Sequence, residues 1–346
     1  MKTIIVDMMG GDRAPAETVK GVLLAKEELE TELVLVGDRA LLEKEFAACG
    51  ASMDGFAVVH TPTVVTMEDE PMCIRREKAD SSMAQGLKML AEGKGDAVVS
   101  TGNTGALFAG ASLIVRKTQG LRRPAIAALL PMNPPVLLLD SGANVTVGAE
   151  DLEQFAVMGT AYMKALHGVN NPRVGLLNNG VEAHKGTEMH VQAYRRLSAN
   201  ESIRFVGNVE GNGVMADVCD VLVTDGFTGN VLLKTAEGMG TMMLGALKGV
   251  FYSNLKTKMG AMLVKSKMME MKRRFDTREY GGAPILGIRK PVIKAHGSSD
   301  AVAFKNAIRQ ALMAAESRLC EEIAEAMALM AAKKAELDEK NAPQTL

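Results

Sequence analysis

Asp96-Ala97-Val98-Val99-Ser100-Thr101-Gly102-Asn103-Thr104-Gly105-Ala106-Leu107 is an apolar strand that runs straight into a Gly-Asn-Thr-Gly turn, and the residues after it read as a helix. Such a junction aims backbone N–H groups and the positive end of a helix dipole at one spot, where an anion is held with few further contacts. A near copy begins at Val221. Val-Leu-Val-Thr-Asp-Gly-Phe-Thr-Gly-Asn-Val pairs Gly102 with Gly226, Thr104 with Thr228 and Gly105 with Gly229. One such turn often serves only chain reversal. Two with hydroxyls in register point to an anionic ligand with two parts, held by Ser100, Gly102, Asn103, Thr104 and Gly105 on one side and by Asp225, Gly226, Thr228, Gly229 and Asn230 on the other.

The same alternation extends outward from this stretch. Thr3–Asp7, Leu33–Gly37 and Phe56–His60 read as short apolar strands separated by helices, with Asp12 as a cap for a helix that carries Pro15 in its first turn. Short strands alternating with helices predict a parallel sheet covered on both faces, hence a doubly wound α/β fold. Thr61–Asp80 reads as a loop and a candidate lid, and a helix over Met83–Glu92 precedes the opening strand. Ala125–Leu130 and Val136–Asp140, joined through Pro131-Met132-Asn133-Pro134-Pro135, predict a hairpin or antiparallel edge. A helix over Ala149–His167, a strand over Arg173–Asn178, a helix over Thr187–Leu197 and strands at Ile203–Val206 and Asp220–Thr224 complete the alternation. Polar turns recur at strand carboxyl ends, the edge where open α/β sheets bind ligands. Tyr280-Gly281-Gly282-Ala283-Pro284 reads as a loop, Val292–His296 as a last strand, and Gly297-Ser298-Ser299 as a last polar turn.

Composition narrows the function classes. Lys and Arg number 40 against 41 Asp and Glu, a net charge of -1 that speaks against nucleic-acid binding. Cys49, Cys73, Cys219 and Cys320 show no metal or disulfide spacing, so buried thiols in a reducing cytoplasm are expected, with no metal and no cofactor. The N-terminus enters a strand at once, and no run approaches the roughly 18 apolar residues of a membrane span. No G-x-G-x-x-G follows the first strand, which disfavours a nicotinamide-dependent dehydrogenase. The chain is read as one integrated α/β unit over 1–346, with a helical insertion at 239–278, a C-terminal helix at 300–339 and a disordered tail from Asn341. The insertion, with 8 basic residues against 2 acidic between Lys256 and Arg278, is the strongly basic segment. On a helix that Gly260 interrupts, Phe251, Tyr252, Leu255, Met259, Met262, Leu263 and Met269 form an apolar side flanked by Lys256, Lys258, Lys265, Lys267 and Lys272, with Arg273 and Arg274 following. A solvated face and an interaction surface are both open for it.

Val6–Asp12, Asp80–Met83, Ser100–Ala106, Gly207–Gly211, Asp225–Asn230, Tyr280–Pro284 and Ala295–Ser299 together, in order and nearly end to end, closely resemble the phosphate acyltransferase family of bacterial phospholipid synthesis. The resemblance implies transfer of a long-chain acyl group from acyl-acyl-carrier protein to inorganic phosphate, giving acyl phosphate for a membrane glycerol-phosphate acyltransferase. It also implies a homodimer and a fold akin to phosphate acetyltransferases and isocitrate dehydrogenases. Val181-Glu182-Ala183-His184-Lys185 and Asn212–Ala216 depart from the family's more acidic pattern. A thioester is already activated and phosphate is itself a nucleophile, so direct attack in a ternary complex needs positioning and oxyanion stabilisation rather than a protein nucleophile. Lys185, Asn230 and His296 are the catalytic candidates, with Gly297, Ser298 and Ser299 joining the two glycine turns in binding phosphate and thioester. The basic helix suits an acidic carrier protein and an anionic membrane surface, giving a cytoplasmic protein that associates peripherally with the membrane. The rival readings are a phosphate acetyl- or butyryltransferase that uses coenzyme A and a non-catalytic membrane-surface scaffold.

Overall fold

The computed structural model describes residues 1–274 and 277–341, with side chains described outside 270–277 and up to residue 336. The elements are β1 (Lys2–Asp7), α1 (Ala16–Glu28), β2 (Thr31–Gly37), α2 (Arg39–Ala48), β3 (Ala57–His60), α3 (Ser82–Ala91), β4 (Ala97–Ser100) and α4 (Thr104–Gly110), the last continued by a π-helical turn over Ala111–Arg116. Then come β5 (Ala125–Leu130), β6 (Val136–Leu139), α5 (Ala149–His167), β7 (Arg173–Leu177), α6 (Glu188–Ala199), β8 (Arg204–Val209), β9 (Val221–Val223), α7 (Gly226–Phe251) and α8 (Leu255–Arg274). The chain finishes with β10 (Gly282–Leu286), β11 (Val292–Ala295), α9 (Ala301–Glu316) and α10 (Leu319–Asn341).

All 11 strands form one sheet in the order β3-β2-β1-β4-β11-β10-β5-β6-β9-β7-β8. β3 to β11 in that order are mutually parallel, and so are β6 to β8. Between the two blocks lie three antiparallel steps, β11 with β10, β10 with β5, and β5 with β6. Three reversals leave the blocks running in opposite directions, so the carboxyl ends of β4 and β9 point toward opposite edges of the sheet. The doubly wound, mostly parallel architecture expected from the sequence is present, and the hairpin over Ala125–Leu130 and Val136–Leu139 is its antiparallel seam.

Alternation along the strands sends successive residues into opposite layers. Ile4 and Val6 pack with Val19, Phe304 and Ile308 under α1 and α9, whereas Ile5 and Val98 pack with Met83, Leu87 and Leu107 under α3 and α4. In the second block Val174 and Leu176 join Phe155 and Tyr162 of α5. Leu138 and Leu222 join Val209 and Val214 on the other face.

Four expectations are corrected. Gly282-Ala283-Pro284 is no loop but the start of β10, because Gly282 lies close against β11, where an added Cβ would meet Ile293 Cγ2 at 2.5 Å. Asp12 does not cap α1, which begins after Pro15 with no side-chain cap. Gly260 lies inside α8, and the break falls at Tyr252–Asn254, which places Phe251 at the end of α7 and divides the apolar side between two helices. The C-terminal helix is interrupted at Ser317–Arg318 and forms α9 and α10. The expected disorder after Asn341 falls outside the described residues.

Candidate active site

Each block builds its ligand edge around one buried carboxylate. At the end of β1, Asp7 accepts hydrogen bonds from Met9 N (3.2 Å), Gly10 N (3.3 Å), Ser82 Oγ (2.7 Å) and Ser100 Oγ (2.6 Å). At the end of β6, Asp140 accepts from Ile126 N, Gly142 N, Ala143 N, Asn144 N and Asn144 Nδ2 at 2.7–3.2 Å. Both side chains are 0–1 % exposed. A buried carboxylate collecting turn N–H groups fixes the turn that follows it. Sequence reading gave neither aspartate a role, although the signal was there: each ends an apolar strand just before a glycine turn.

In the first block the turns after β1, β4 and β11 converge. The Asp12 N–H donates to the Gly297 carbonyl at 2.9 Å, and the Thr101 hydroxyl donates to the Gly10 carbonyl. Gly102 packs against Met83, whose Cε would lie 2.5 Å from an added Cβ, so here glycine serves close approach. Ser100 is held on Asp7, and its Oγ in turn accepts from Gly102 N at 3.0 Å. Asn103 caps α4 through Ala106 N (3.0 Å), while its Nδ2 reaches the carbonyls of Thr66, Met67 and Asp69 at 3.0–3.2 Å. The Thr61–Asp80 segment is therefore tied onto the turn, with Pro71 against Gly105. Thr104 is exposed on its open side. Asn103→Ala is expected to cost about 1–2 kcal/mol through the lost cap and the freed carbonyls. Limited proteolysis should then cut within residues 61–80 faster than in the parent protein.

His296 stands exposed at the rim of these turns. Its Nδ1 accepts the Ser298 N–H at 3.2 Å and lies 2.9 Å from Ser298 Oγ, so in the neutral ring the proton sits on Nε2. Its pKa is lowered, first by partial desolvation of the ring against the turns and then by the charges of Lys234 and Lys294. Lys234 belongs to α7, so the charge of that helix acts on His296. Beneath the turns lies Lys294 of β11, 8 % exposed, which sequence reading missed because a lysine in an apolar strand gives no motif.

The second turn is self-capped. Gly226 N donates to Asn144 O (2.8 Å), Thr228 N to Asp225 Oδ1 (2.9 Å), Thr228 Oγ1 to Asp225 Oδ2 (2.7 Å) and Gly229 N to Asp225 O (2.9 Å). The N–H groups of Gly226, Thr228 and Gly229 and the Thr228 hydroxyl are thus engaged, and an arriving anion would meet the Asp225 carboxylate. Asn230 is exposed, with its side chain near Gly142. Lys185 lies in the loop after β7, whose carbonyl accepts from Asn178 Nδ2 at 3.1 Å. It is half-buried and adjoins the second block, not His296.

Lys256, Lys258, Lys265 and Lys267 are exposed on α8, beside Leu255, Met259 and Met262, themselves 63–81 % exposed. The side chains of Lys272, Arg273 and Arg274 lie outside the described residues. Within α7 only Gly226 and Gly229 are buried, and Phe227, Val231, Met239, Met242, Met243 and Val250 are exposed. Among the described residues no helix is long and apolar enough to cross a membrane, and no cluster of three or more His, Cys, Asp or Glu could hold a metal ion.

The fold is shared with solved phosphotransacylases. A phosphotransacetylase from Streptococcus pyogenes superposes with a TM-score of 0.63 at 15% identity, over 93% of this chain and 94% of that one. A branched-chain phosphotransacylase from Enterococcus faecalis superposes with 0.52 at 14%, over 90% and 99%. At these identities the likeness is one of fold. The family described as fatty acid synthesis protein matches residues 2–322. Phosphate acyltransferases from Thermotoga neapolitana (47% identical, over 92% of this chain and 95% of the relative) and Bacillus subtilis (43%, over 89% and 92%) align nearly throughout. The chain belongs to the phosphate acyltransferase family and is a transferase.

Proposed function

We propose that the protein transfers a long-chain acyl group from acyl-acyl-carrier protein to inorganic phosphate, releasing acyl phosphate for phospholipid synthesis at the membrane. The observation that carries this reading is family membership along nearly the whole chain, combined with three turns that converge beside His296. Phosphate oxygen attacks the thioester carbonyl, and the tetrahedral oxyanion collapses to acyl phosphate and thiolate. His296, with its Nε2–H directed away from Ser298, is placed to hydrogen-bond the departing thiolate, whose proton is the one that hydrogen phosphate loses on acylation. Lys185 and Asn230 serve the thioester side, where the second block and α7 meet.

The cysteines support direct attack over an acyl-enzyme. Burial pushes the Cys219 thiol up to about 12 and raises that of Cys73, so neither is a ready thiolate. Cys73→Ser and Cys219→Ser are therefore expected to retain turnover. Loss of activity in a folded serine variant would replace direct attack by a covalent route.

The bare apolar side chains of α7 and α8, flanked by lysines, support three contacts: a second copy of the chain in a homodimer, an acidic carrier protein, and transiently an anionic bilayer beside the membrane acyltransferase that consumes the product. Replacing Leu255 and Met259 together by Glu is expected to abolish sedimentation with anionic vesicles and to weaken use of the acyl-acyl-carrier protein by a smaller factor, since the carrier protein docks on the same surface. Equal loss of both would remove the separate membrane role.

The test of the reaction itself compares acyl-carrier-protein and coenzyme A thioesters of one chain length, with hydroxylamine trapping the acyl phosphate. Preference for the carrier-protein thioester supports the proposal. Equal or better use of coenzyme A would make the protein an acetyl- or butyryltransferase-like enzyme, and no trapped product from either would leave only a surface scaffold.

A further inference from the structure

Lys294 is a buried cation without a carboxylate partner. Its Nζ donates to the carbonyl oxygens of Thr101 (3.3 Å) and Ala295, and no ion pair holds it among the described residues. An ammonium has three N–H donors, so two carbonyls leave one over. Lys305, also well covered, is paired with Glu28 at 2.6 Å. A cation removed from water without a counter-charge is costly, and a protein retains one chiefly where something negative arrives.

The surroundings point the same way. Lys294 lies opposite Ser100 in the β11–β4 pairing, directly under the turns after β1, β4 and β11. Five residues on, Ser299 is 8 % exposed and its Oγ has no hydrogen-bond partner. A buried hydroxyl with nothing to bind is as unusual as the unpaired cation, and the two residues flank the turn that follows β11. The charged and titratable neighbours are Asp7, Asp12 and His296. Asp7 is saturated by the four donors described above, and Asp12 makes no hydrogen bond or ion pair with Lys294, so both favour its charge only through space.

The geometry points to Lys294 and Ser299 as the seat of inorganic phosphate, the ammonium supplying the counter-charge and the hydroxyl a hydrogen bond, with Lys185 left to the thioester half. This assignment rests on the reaction proposed above only for the identity of the anion. Burial pulls the Lys294 pKa down to about 8, opposed by the charges of Asp12 and Asp7. Its positive charge is therefore lost as the pH rises through that value, in a range where phosphate remains a dianion.

The experiment uses the full chain and inorganic phosphate alone, read as the rise in melting temperature, followed by separate KM values for phosphate and thioester. For the parent protein the rise should saturate with phosphate and weaken as the pH passes about 8. Lys294→Met should abolish the rise and increase the phosphate KM by at least about tenfold, the range expected for losing a charge-assisted hydrogen bond, with the thioester KM unchanged. Ser299→Ala, which removes only an unpartnered hydroxyl, should fold normally and weaken phosphate binding by a smaller factor. Lys185→Met should leave the phosphate-induced rise intact. A folded Lys294→Met protein that keeps the rise, or that changes the thioester KM alone, overturns the assignment, as does loss of the rise in Lys185→Met. If Lys294→Met fails to fold, the Ser299→Ala and pH results decide, and phosphate binding indifferent to both overturns it. Because the first readout contains no thioester, failure of acyl transfer would leave it standing.

Discussion

Asp140→Ala is expected to destabilise the protein by about 3–5 kcal/mol, the range for removing one side of a buried charged hydrogen-bond network. The substitution leaves the buried N–H groups of Ile126 and Asn144, and the partly exposed ones of Gly142 and Ala143, without their acceptor. Asn144 would also lose what orients its amide, and with it the carbonyl that receives Gly226 N and seats α7. Urea denaturation should show a lower midpoint, and acyl phosphate formation should fall with it even where the protein remains folded. Asp140→Asn tests the charge separately, because it keeps one acceptor oxygen and should recover part of the stability. A midpoint unchanged in both variants would show that the carboxylate does not organise the turn.

Gly229→Ala is expected to act at the same junction from the other side. An added Cβ would lie 1.9 Å from the Asp140 carbonyl oxygen and 3.0 Å from Thr224 Cγ2, so the first turn of α7 must move away from the sheet. Overpacking of this kind costs about 1–3 kcal/mol, and a clash with backbone oxygen belongs at the upper end. Activity should suffer more than stability, because α7 carries the Lys234 charge toward His296 and few other residues anchor it. Gly238→Ala is the control. Nothing lies within 4 Å of a Cβ there, so alanine in that exposed helix interior should stabilise by about 0.5–1 kcal/mol. Equal behaviour of the two variants would contradict the role given to the α7 junction.

The fold was legible wherever local pattern and packing agree. Apolar strands such as Ala97–Ser100 and the long helix Ala149–His167, closed by Gly168 in a left-handed conformation, announce themselves through periodicity and capping. β10 was hidden because its Gly-Gly-Ala-Pro start has loop composition, and only its place between β11 and β5 makes it a strand. The reversal of the two sheet halves follows from that hidden strand. Three antiparallel steps instead of two turn the carboxyl ends of β4 and β9 apart, and sequence similarity between their turns carries no direction in space.

The site was legible in part. The repeat Gly-x-Thr-Gly correctly marks two equivalent strand–helix junctions, but its glycines serve close packing against Met83, Pro71 and Asp140 as much as access to a ligand. Asn103 and Asp225 were visible as turn residues, yet their hydrogen bonds go to caps and to the Thr61–Asp80 segment. Lys294 could not be found from local sequence, since its meaning comes from burial and from what does not pair with it. Asp7 and Asp140 are the features that sequence comparison between the two halves could have supplied.

The central claim is transfer of an acyl group to phosphate, and the most direct measurement is the stoichiometry of that transfer with purified protein and acyl-acyl-carrier protein. Thiol release should depend on added inorganic phosphate and match, mole for mole, the acyl hydroxamate trapped with hydroxylamine. Thiol release without phosphate, or with free fatty acid in place of trappable acyl phosphate, would contradict it.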